Sequence, residues 1–178
     1  MELFGLEIGA WADFGVAFAT LILAFITVLT VYEMRLQQKK DRLQKEMTLL
    51  VGPLRSRQDG HFHFGLWRNH RPSRDREEDT SYSKSYFNFW DAIMVNMYLG
   101  DMDLSSALQN YIDAKGAYWN LVGNHSPLQF DNTAEGRQLT QRFETTRSAL
   151  RIETDRRYRN LRREINLLEE RPLWQFWK

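Results

Sequence analysis

One uncharged apolar run constrains this chain more than any other feature: residues 14–32 read FGVAFATLILAFITVLTVY. As an α-helix, these 19 residues would span roughly 28 Å at about 1.5 Å per residue, close to the hydrocarbon thickness of a bilayer. Trp11 and Tyr32 lie at its two ends, where amphipathic rings favour the membrane interface. The run predicts a transmembrane helix within an N-terminal segment, residues 1–32.

Two other structures share such a run: the core helix of a soluble protein and a cleaved signal peptide. The run is long for a core helix. A signal peptide has basic residues before its apolar part and a small-residue cleavage site after it. Here Glu2, Glu7 and Asp13 precede or begin the run, and VYEMR ends it. We therefore predict an anchor that is not cleaved.

The charges that flank the run predict its orientation. No Lys or Arg occurs in residues 1–32, whereas five basic residues follow closely. They are Arg35, Lys39, Lys40, Arg42 and Lys45. The positive-inside rule keeps this side in the cytoplasm. We predict a single-pass protein of the cell membrane, with the N-terminus outside and the C-terminal domain cytoplasmic.

Small residues recur on one stripe of the predicted anchor. Ala17, Thr20, Ala24 and Thr27 follow each other at steps of three or four. Such a stripe lets two membrane helices approach closely, and threonine hydroxyls can bond across the gap. Alternatively, each threonine bonds its own preceding carbonyl and the stripe faces lipid.

The predicted helix continues past the membrane as an amphipathic stalk, residues 33–53. Its apolar positions share one face: Leu36, Leu43, Met47 and Leu50. We predict one continuous helix from about Trp11 to Val51, which Gly52-Pro53 ends.

Residues 54–84 are rich in Arg, Gly, Asp and Ser, with aromatic residues between them, and predict a long, partly mobile loop. Six arginines fall in this segment: Arg55, Arg57, Arg68, Arg71, Arg74 and Arg76. Basic and aromatic residues together can bind single-stranded nucleic acid, but DREEDT follows at once. Near a cytoplasmic leaflet the same arginines favour anionic lipid, so nucleic acid is the weaker alternative.

Helical periodicity returns in residues 85–171, which we predict to form a small antiparallel helical bundle. In the first helix Tyr86, Trp90, Ile93 and Met97 share a face, Phe87, Met94 and Tyr98 fill its neighbour, and Gly100 ends it. Asp103 is predicted to cap the second helix, whose inward residues are Leu104, Leu108, Tyr111, Ile112, Trp119 and Val122. Asn132 and Glu135 resemble a capping box that opens a third helix, which continues to Pro172. Its stripe comprises Leu139, Phe143, Leu150, Tyr158, Leu161, Ile165 and Leu168.

The aromatic tail, residues 172–178, reads PLWQFWK. This composition is typical of a membrane interface, so the tail is predicted to touch the bilayer. Alternatively, its rings cap the protein's own core or dock into a sister subunit.

The search for chemistry yields little. Without cysteine, the chain has no disulfide scaffold, thiol catalysis or thiolate metal site. His61 and His63, with Asp59 and His70 nearby, form a weak metal-binding pattern. P-loop, dinucleotide and GxSxG motifs are absent. Glu153 and Asp155 lie among arginines and are expected to be paired surface groups. We predict no catalytic residue, cofactor or metal.

Two stretches, EMTLLVGPLRSR and FNFWDAIMVNMYLGDMDLSSALQNYI, resemble a loose group of uncharacterised archaeal and bacterial single-pass membrane proteins. Their pattern is a PL-small turn after the stalk, an aromatic F/Y-x-F-W-x-x-I…Y-L helix, and an L…L…Y helix. The likeness covers residues up to about Asn120. It implies a stalk and a small helical cytoplasmic domain, and no known activity.

Together these features predict an all-α chain: one transmembrane helix, an amphipathic stalk and a small antiparallel bundle. We expect a non-enzymatic interaction or scaffold protein that presents the bundle to a protein partner or to itself. One alternative is a protein that binds anionic lipid or remodels membranes through the Arg-rich loop and the tail. Another is a small metal-dependent hydrolase that uses the histidine loop.

Overall fold

The computed structural model describes residues 8–59, 64, 80–122 and 133–170. Within these residues all regular structure is helical, which confirms the predicted all-α class. The elements are α1 (Ile8–Glu46), a π-helical turn (Met47–Val51), α2 (Gly52–Arg57), α3 (Thr80–Asn96), a 3-10 turn (Met97–Leu99), α4 (Met102–Val122) and α5 (Ala134–Glu169). The chain divides into two compact units, Met1–Asp41 and Arg42–Lys178.

The first unit exposes its apolar surface. Every side chain from Trp11 to Arg35 is exposed, including Phe14, Leu21 and Leu23 at 64–69%. An 18-residue window with a mean hydropathy of 2.5 has none of its residues buried. The part of the chain that the structure describes therefore contains one helix that is long and apolar enough to cross a membrane. A core helix is mostly covered by its own protein, whereas the residues that the structure describes bury none of this window.

The threonines of the small-residue stripe bond within their own helix. The Thr20 hydroxyl donates to the Val16 carbonyl and the Thr27 hydroxyl to the Leu23 carbonyl, each at 2.8 Å. These bonds satisfy both hydroxyls inside one helix, as in the alternative in which the stripe faces lipid.

In the second unit α4 and α5 run antiparallel. Tyr111 of α4 stacks near Phe143 of α5, with ring centroids 5.4 Å apart. Asp101, just before α4, lies 2.9 Å from Arg156 towards the other end of α5. As the residue number rises along α4, the number of its α5 neighbour falls, so this part of the predicted antiparallel packing is confirmed.

The stretch from Glu46, at the end of α1, to Asp59, just after α2, also runs antiparallel to α5. Glu46 pairs with Arg157, and Asp59 pairs with Arg151. The π-helical turn buries Leu50 and Val51 at its end. The predicted stalk stripe is confirmed in part: Leu43 and Leu50 are buried and Met47 packs partly buried against the core, whereas Leu36 is only half-buried.

A main hydrophobic core joins these helices, and Tyr118 and Trp119 form a second, smaller cluster. Most inward residues predicted for α4 and α5 are confirmed as buried: Leu104, Leu108, Tyr111, Trp119, Phe143, Leu150 and Leu161. The second apolar face predicted on α3 is wrong. Met94 and Tyr98 are 42% and 75% exposed, whereas Phe89 is 7% exposed and takes a core position.

Gly52-Pro53 does not end the first helical stretch as predicted. The Gly52 N–H donates to the Met47 carbonyl five residues back, so the chain widens into a π-helical turn. Pro53 then lies in the first turn of α2, where proline is tolerated because the missing N–H needs no partner.

Both predicted helix caps are displaced along the chain. Asp101 accepts a bond from the Leu104 N–H at 2.9 Å, so it caps α4 in place of Asp103. Thr133 accepts from the Gly136 N–H at 2.9 Å, so it caps α5 in place of Asn132. In each case the side chain that caps the helix belongs to the residue three positions before the N–H that it binds.

The predicted loop over residues 54–84 is too long at both ends, since α2 extends to Arg57 and α3 begins at Thr80. Phe64 is 2% exposed and packs against Trp90 and Tyr111 in the core. The other loop residues, 60–63 and 65–79, lie outside the described residues, as does the tail over 172–178.

Substituting Gly52 by alanine is expected to destabilise the second unit. A Cβ at this position would lie 2.7 Å from the Met47 backbone oxygen, which cannot move without opening the π-helical turn. We expect a loss of about 1–3 kcal/mol in the free energy of unfolding, measured by urea denaturation in detergent.

Gly116→Ala is the matched control for this prediction. Gly116 is exposed on α4 and a Cβ there meets nothing within 4 Å. This change is expected to stabilise by about 0.5–1 kcal/mol through helix propensity. Equal effects of the two substitutions would contradict the close approach at Gly52.

Candidate functional site

A buried ion pair between Glu46 and Arg157 organises the polar side of the second unit. Arg157 donates to both Glu46 carboxylate oxygens at 2.6 Å, through Nε and through one terminal nitrogen. The Glu46 side chain is only 2% exposed and that of Arg157 is 15% exposed. The bidentate bond to Glu46 raises the pKa of Arg157 above its ordinary value. This pair fixes the end of α1 against the middle of α5.

Arg156 extends the ion pair into a network. It reaches the carboxylates of Asp101 at 2.9 Å and Asp103 at 3.1 Å, and it also pairs with Glu153. Asp101 lies 3.7 Å from Arg157 as well. Through Asp101, the cap of α4 is connected to the residue that holds α1. The network therefore sets the rotation of α5 about its axis.

An arginine-lined groove lies on another face of α5, towards its C-terminal end. The groove has a volume of about 510 Å³ and is lined by Arg55, Tyr158, Arg159, Arg162, Arg163, Asn166, Leu167 and Glu170. The Arg55 guanidinium lies 3.9 Å from the centroid of the Tyr158 ring. Its Nε donates to Asp155 at 3.2 Å. These two contacts hold Arg55 at the edge of the groove.

Lys115 is buried in a group of aromatic rings. It is 7% exposed, and its Nζ lies 4.6 Å from the Tyr86 ring centroid, 5.0 Å from that of Trp90 and 5.5 Å from that of Tyr111. Burial, and then the positive charge of Arg147, lower the pKa of Lys115 to about 7. Burial likewise raises the pKa of both tyrosines.

A lysine with such a pKa can exchange a proton near neutral pH, but its environment is that of a core residue. Its Nζ is 3.4 Å from the Tyr111 hydroxyl, and the rings around it leave it almost no contact with solvent. Trp90 Nε1 beside it has no hydrogen-bond partner among the described residues. Lys115 is therefore part of the packed aromatic core.

The proposed metal pattern falls mostly outside the described residues. His61, His63 and His70 are not described, so the histidine hypothesis stays a prediction. Asp59 is described, is exposed, and pairs with Arg151 at 3.2 Å. Within residues 8–59, 64, 80–122 and 133–170, no three His, Asp or Glu side chains come together as metal ligands.

The Arg-rich loop is described only at its start. Arg55 contacts Asp155 and Tyr158, and Arg57 lies 4.9 Å from the Phe89 ring centroid. The other four arginines, Arg68, Arg71, Arg74 and Arg76, are outside the described residues. Glu153 and Asp155 are paired with arginines, as expected from the sequence.

The sequence analysis missed the groove and the buried lysine, although signals for both were present. Arg159, Arg162 and Arg163 follow an i, i+3, i+4 pattern that places them on one helix face. Lys115 has Tyr111, Tyr118 and Trp119 at helical neighbour positions. Aromatic residues one turn before and after a lysine indicate a buried side chain.

An exposed apolar stripe crosses from α3 into the start of α4. Its members are Met94, Val95, Tyr98 and Met102, and the last three are 72–83% exposed. They lie within nine residues of sequence, on both sides of the extended Gly100, and Leu49 of the π-helical turn is also exposed, at 43%. Single exposed apolar residues are ordinary, whereas a stripe of large ones is typical of an interaction surface.

Comparison of the chain with protein-family models, with curated proteins and with solved structures found no match. The resemblance of two sequence stretches to a loose group of single-pass membrane proteins stays a prediction. We therefore infer a function from the residues and their geometry.

Replacing Arg157 by methionine is expected to lower the free energy of unfolding by about 3–5 kcal/mol, because it leaves the Glu46 carboxylate buried without its cation. The double variant Glu46→Leu/Arg157→Met is expected to recover most of this loss, since it leaves no charge stranded. Urea denaturation followed by far-UV circular dichroism measures both. Arg151→Gln, which removes an exposed pair, serves as the control at less than about 1 kcal/mol. A loss for Arg157→Met no larger than this control would refute the buried pair.

The stability of the second unit is expected to rise with pH above about pH 7 because of Lys115. The native pKa of about 7 lies below the ordinary 10.5, so between these values the unfolded chain binds a proton that the native chain does not. The free energy of unfolding then increases with pH, by at most about 1.4 kcal/mol per pH unit. Denaturation of wild type and Lys115→Met from about pH 7 to about pH 9.5 measures this slope. Identical slopes in the two proteins would show that Lys115 does not contribute.

Proposed function

We propose that this chain is a single-pass membrane-anchored interaction protein, with its N-terminus outside the cell and its second unit in the cytoplasm. The observation that carries the proposal is the 18-residue apolar window of α1, of which no residue is buried. Exposing such a surface to water is costly, at about 25 cal/mol for each Å². A bilayer removes that cost without requiring another part of the chain.

The charges around the window support the orientation. Acidic residues precede it and no lysine or arginine does, whereas Arg35, Lys39 and Lys40 follow on the same continuous helix. Moving this basic flank across a bilayer is unfavourable, so the side that carries it stays in the cytoplasm.

The exposed stripe of Met94, Val95, Tyr98 and Met102 supports a role in binding protein. Large apolar and aromatic side chains of this kind form the buried centre of many protein interfaces. Membrane anchoring restricts the second unit to two dimensions, which raises its effective concentration towards partners on the same membrane. The partner in this proposal is another membrane-associated protein or a second copy of the chain.

The two alternative functions draw on residues that are mostly not described. Metal-dependent hydrolysis depends on His61, His63 and His70, and lipid binding by the loop and tail depends on residues in 65–79 and 172–178. Among the described residues, the exposed side chains of Met94, Val95, Tyr98 and Met102 support the binding of protein.

The proposed function is tested by one experiment with two arms in intact cells. In the first, membranes are washed with alkaline carbonate, and a reporter fused after Lys178 is tested for access from outside. We expect retention in the membrane and an inaccessible reporter. Leu21→Arg/Ile26→Arg, which places two charges in the apolar window, is expected to weaken retention. Release of the wild-type chain, or an external reporter, would contradict the anchor.

In the second arm the captured protein is identified after crosslinking. Tyr98→Lys/Met102→Lys, on the exposed stripe, is expected to reduce the crosslinked product at least fivefold, because a charge at the centre of an interface must be desolvated. Gln109→Lys/Asn110→Lys adds the same charges on exposed positions of α4 and is the matched control. Equal crosslinking in the two variants would remove the stripe as the binding surface.

A further inference from the structure

The groove at the C-terminal half of α5 concentrates positive charge, of which only that of Arg55 is paired with a carboxylate, Asp155, among the described residues. Arg55, Arg159, Arg162 and Arg163 line it, against a single carboxylate, that of Glu170. The groove is an open depression of about 510 Å³ with a net positive lining.

Three of these arginines differ from four others on the same helix. Arg147, Arg151, Arg156 and Arg157 each pair with a carboxylate within 4 Å. Arg159, Arg162 and Arg163 are exposed and form no ion pair with any residue that the structure describes. Their guanidinium groups are therefore available to an anion from outside the described part of the chain.

The fourth arginine, Arg55, is held at the edge of the groove by two contacts. Asp155 binds Arg55 through Nε at 3.2 Å, and the Tyr158 ring supports its guanidinium plane from 3.9 Å. Fixing a guanidinium before binding reduces the entropy lost when a ligand is bound. Asn166, also in the lining, adds an amide that can donate a further hydrogen bond.

We propose that this groove binds a phosphate group, presented by an anionic lipid head group or by a small soluble phosphate. Guanidinium groups match phosphate oxygens with paired N–H bonds, and several of them around one site suit a group with more than one negative charge. A membrane anchor would hold the second unit near a leaflet that contains anionic lipid, so the lipid source rests on the proposed function. The groove itself does not depend on it.

Nucleic acid fits the groove less well. Single strands are held by aromatic rings on which successive bases stack, together with basic residues. The groove has one aromatic ring, Tyr158, and Arg55 already lies over its face. These residues can therefore bind a phosphate group, but they leave no free aromatic face on which a base could stack.

The test uses the full chain, purified in a neutral detergent, with binding measured by isothermal titration calorimetry. The probes are inorganic pyrophosphate, short-chain phosphatidic acid in the same micelle, short-chain phosphatidylcholine, and an oligonucleotide without base pairing. We expect phosphatidic acid to bind, phosphatidylcholine not to bind, and the affinity to fall as salt is raised towards about 0.15 M. Binding of pyrophosphate with equal affinity would identify a soluble phosphate as the source and would still support the groove.

Two triple variants localise the binding. Arg159→Gln/Arg162→Gln/Arg163→Gln removes the unpaired arginines of the groove and is expected to weaken phosphate binding at least tenfold. Arg137→Gln/Arg142→Gln/Arg151→Gln removes the same charge from exposed positions elsewhere on α5, and its affinity is expected to change less than about threefold, since distant exposed charges are screened. Far-UV circular dichroism and the unfolding midpoint check that both variants remain folded.

Three results would overturn the proposal. They are no binding of pyrophosphate or phosphatidic acid, an equal loss of affinity in the two triple variants, and tighter binding of the oligonucleotide than of either phosphate probe. The proposed membrane anchor can be contradicted independently of the phosphate site. If carbonate released the chain while the groove variant still lost its affinity for pyrophosphate, the phosphate site would stand and only its lipid source would fall.

Discussion

The bidentate ion pair between Glu46 and Arg157 fixes how the end of α1 meets the middle of α5. Burying a carboxylate to 2% exposure is unfavourable unless its partner satisfies it with good geometry, and here two bonds of 2.6 Å do so. The pair lies beside the apolar core and shares Asp101 with the cap of α4. One polar contact therefore brings together three helices that hydrophobic packing alone would leave free to rotate about their axes.

The arginine groove follows from this constraint. An α-helix turns by about 100° per residue, so once Arg157 faces α1, residues 159, 162 and 163 lie about 200°, 140° and 240° round the axis. They must then face away from the ion pair. The charge-rich sequence DRRYRNLRRE thus contains two kinds of arginine: those that hold the fold together and those that remain for a ligand.

The all-α fold and most of its core were predictable, because burial of an apolar stripe at the helical period needs no knowledge of the partner helix. Leu104, Phe143 and Leu161 are examples. The π-helical turn was not predictable, since it depends on the approach of Gly52 to the Met47 carbonyl. Nor was the ion pair, whose members are 111 residues apart. Of the candidate site, the sequence indicated an arginine-rich helix but not which guanidinium groups were already paired.

The separation of Glu46 and Arg157 along the chain has a consequence for biosynthesis. At about 5–20 residues per second, the ribosome needs roughly 6–22 s to add the 111 residues between them. During this interval the nascent chain already contains the apolar helix α1, and the Glu46 carboxylate has no arginine to pair with. The apolar N-terminal helix is thus complete before the Glu46–Arg157 pair of the second unit can form.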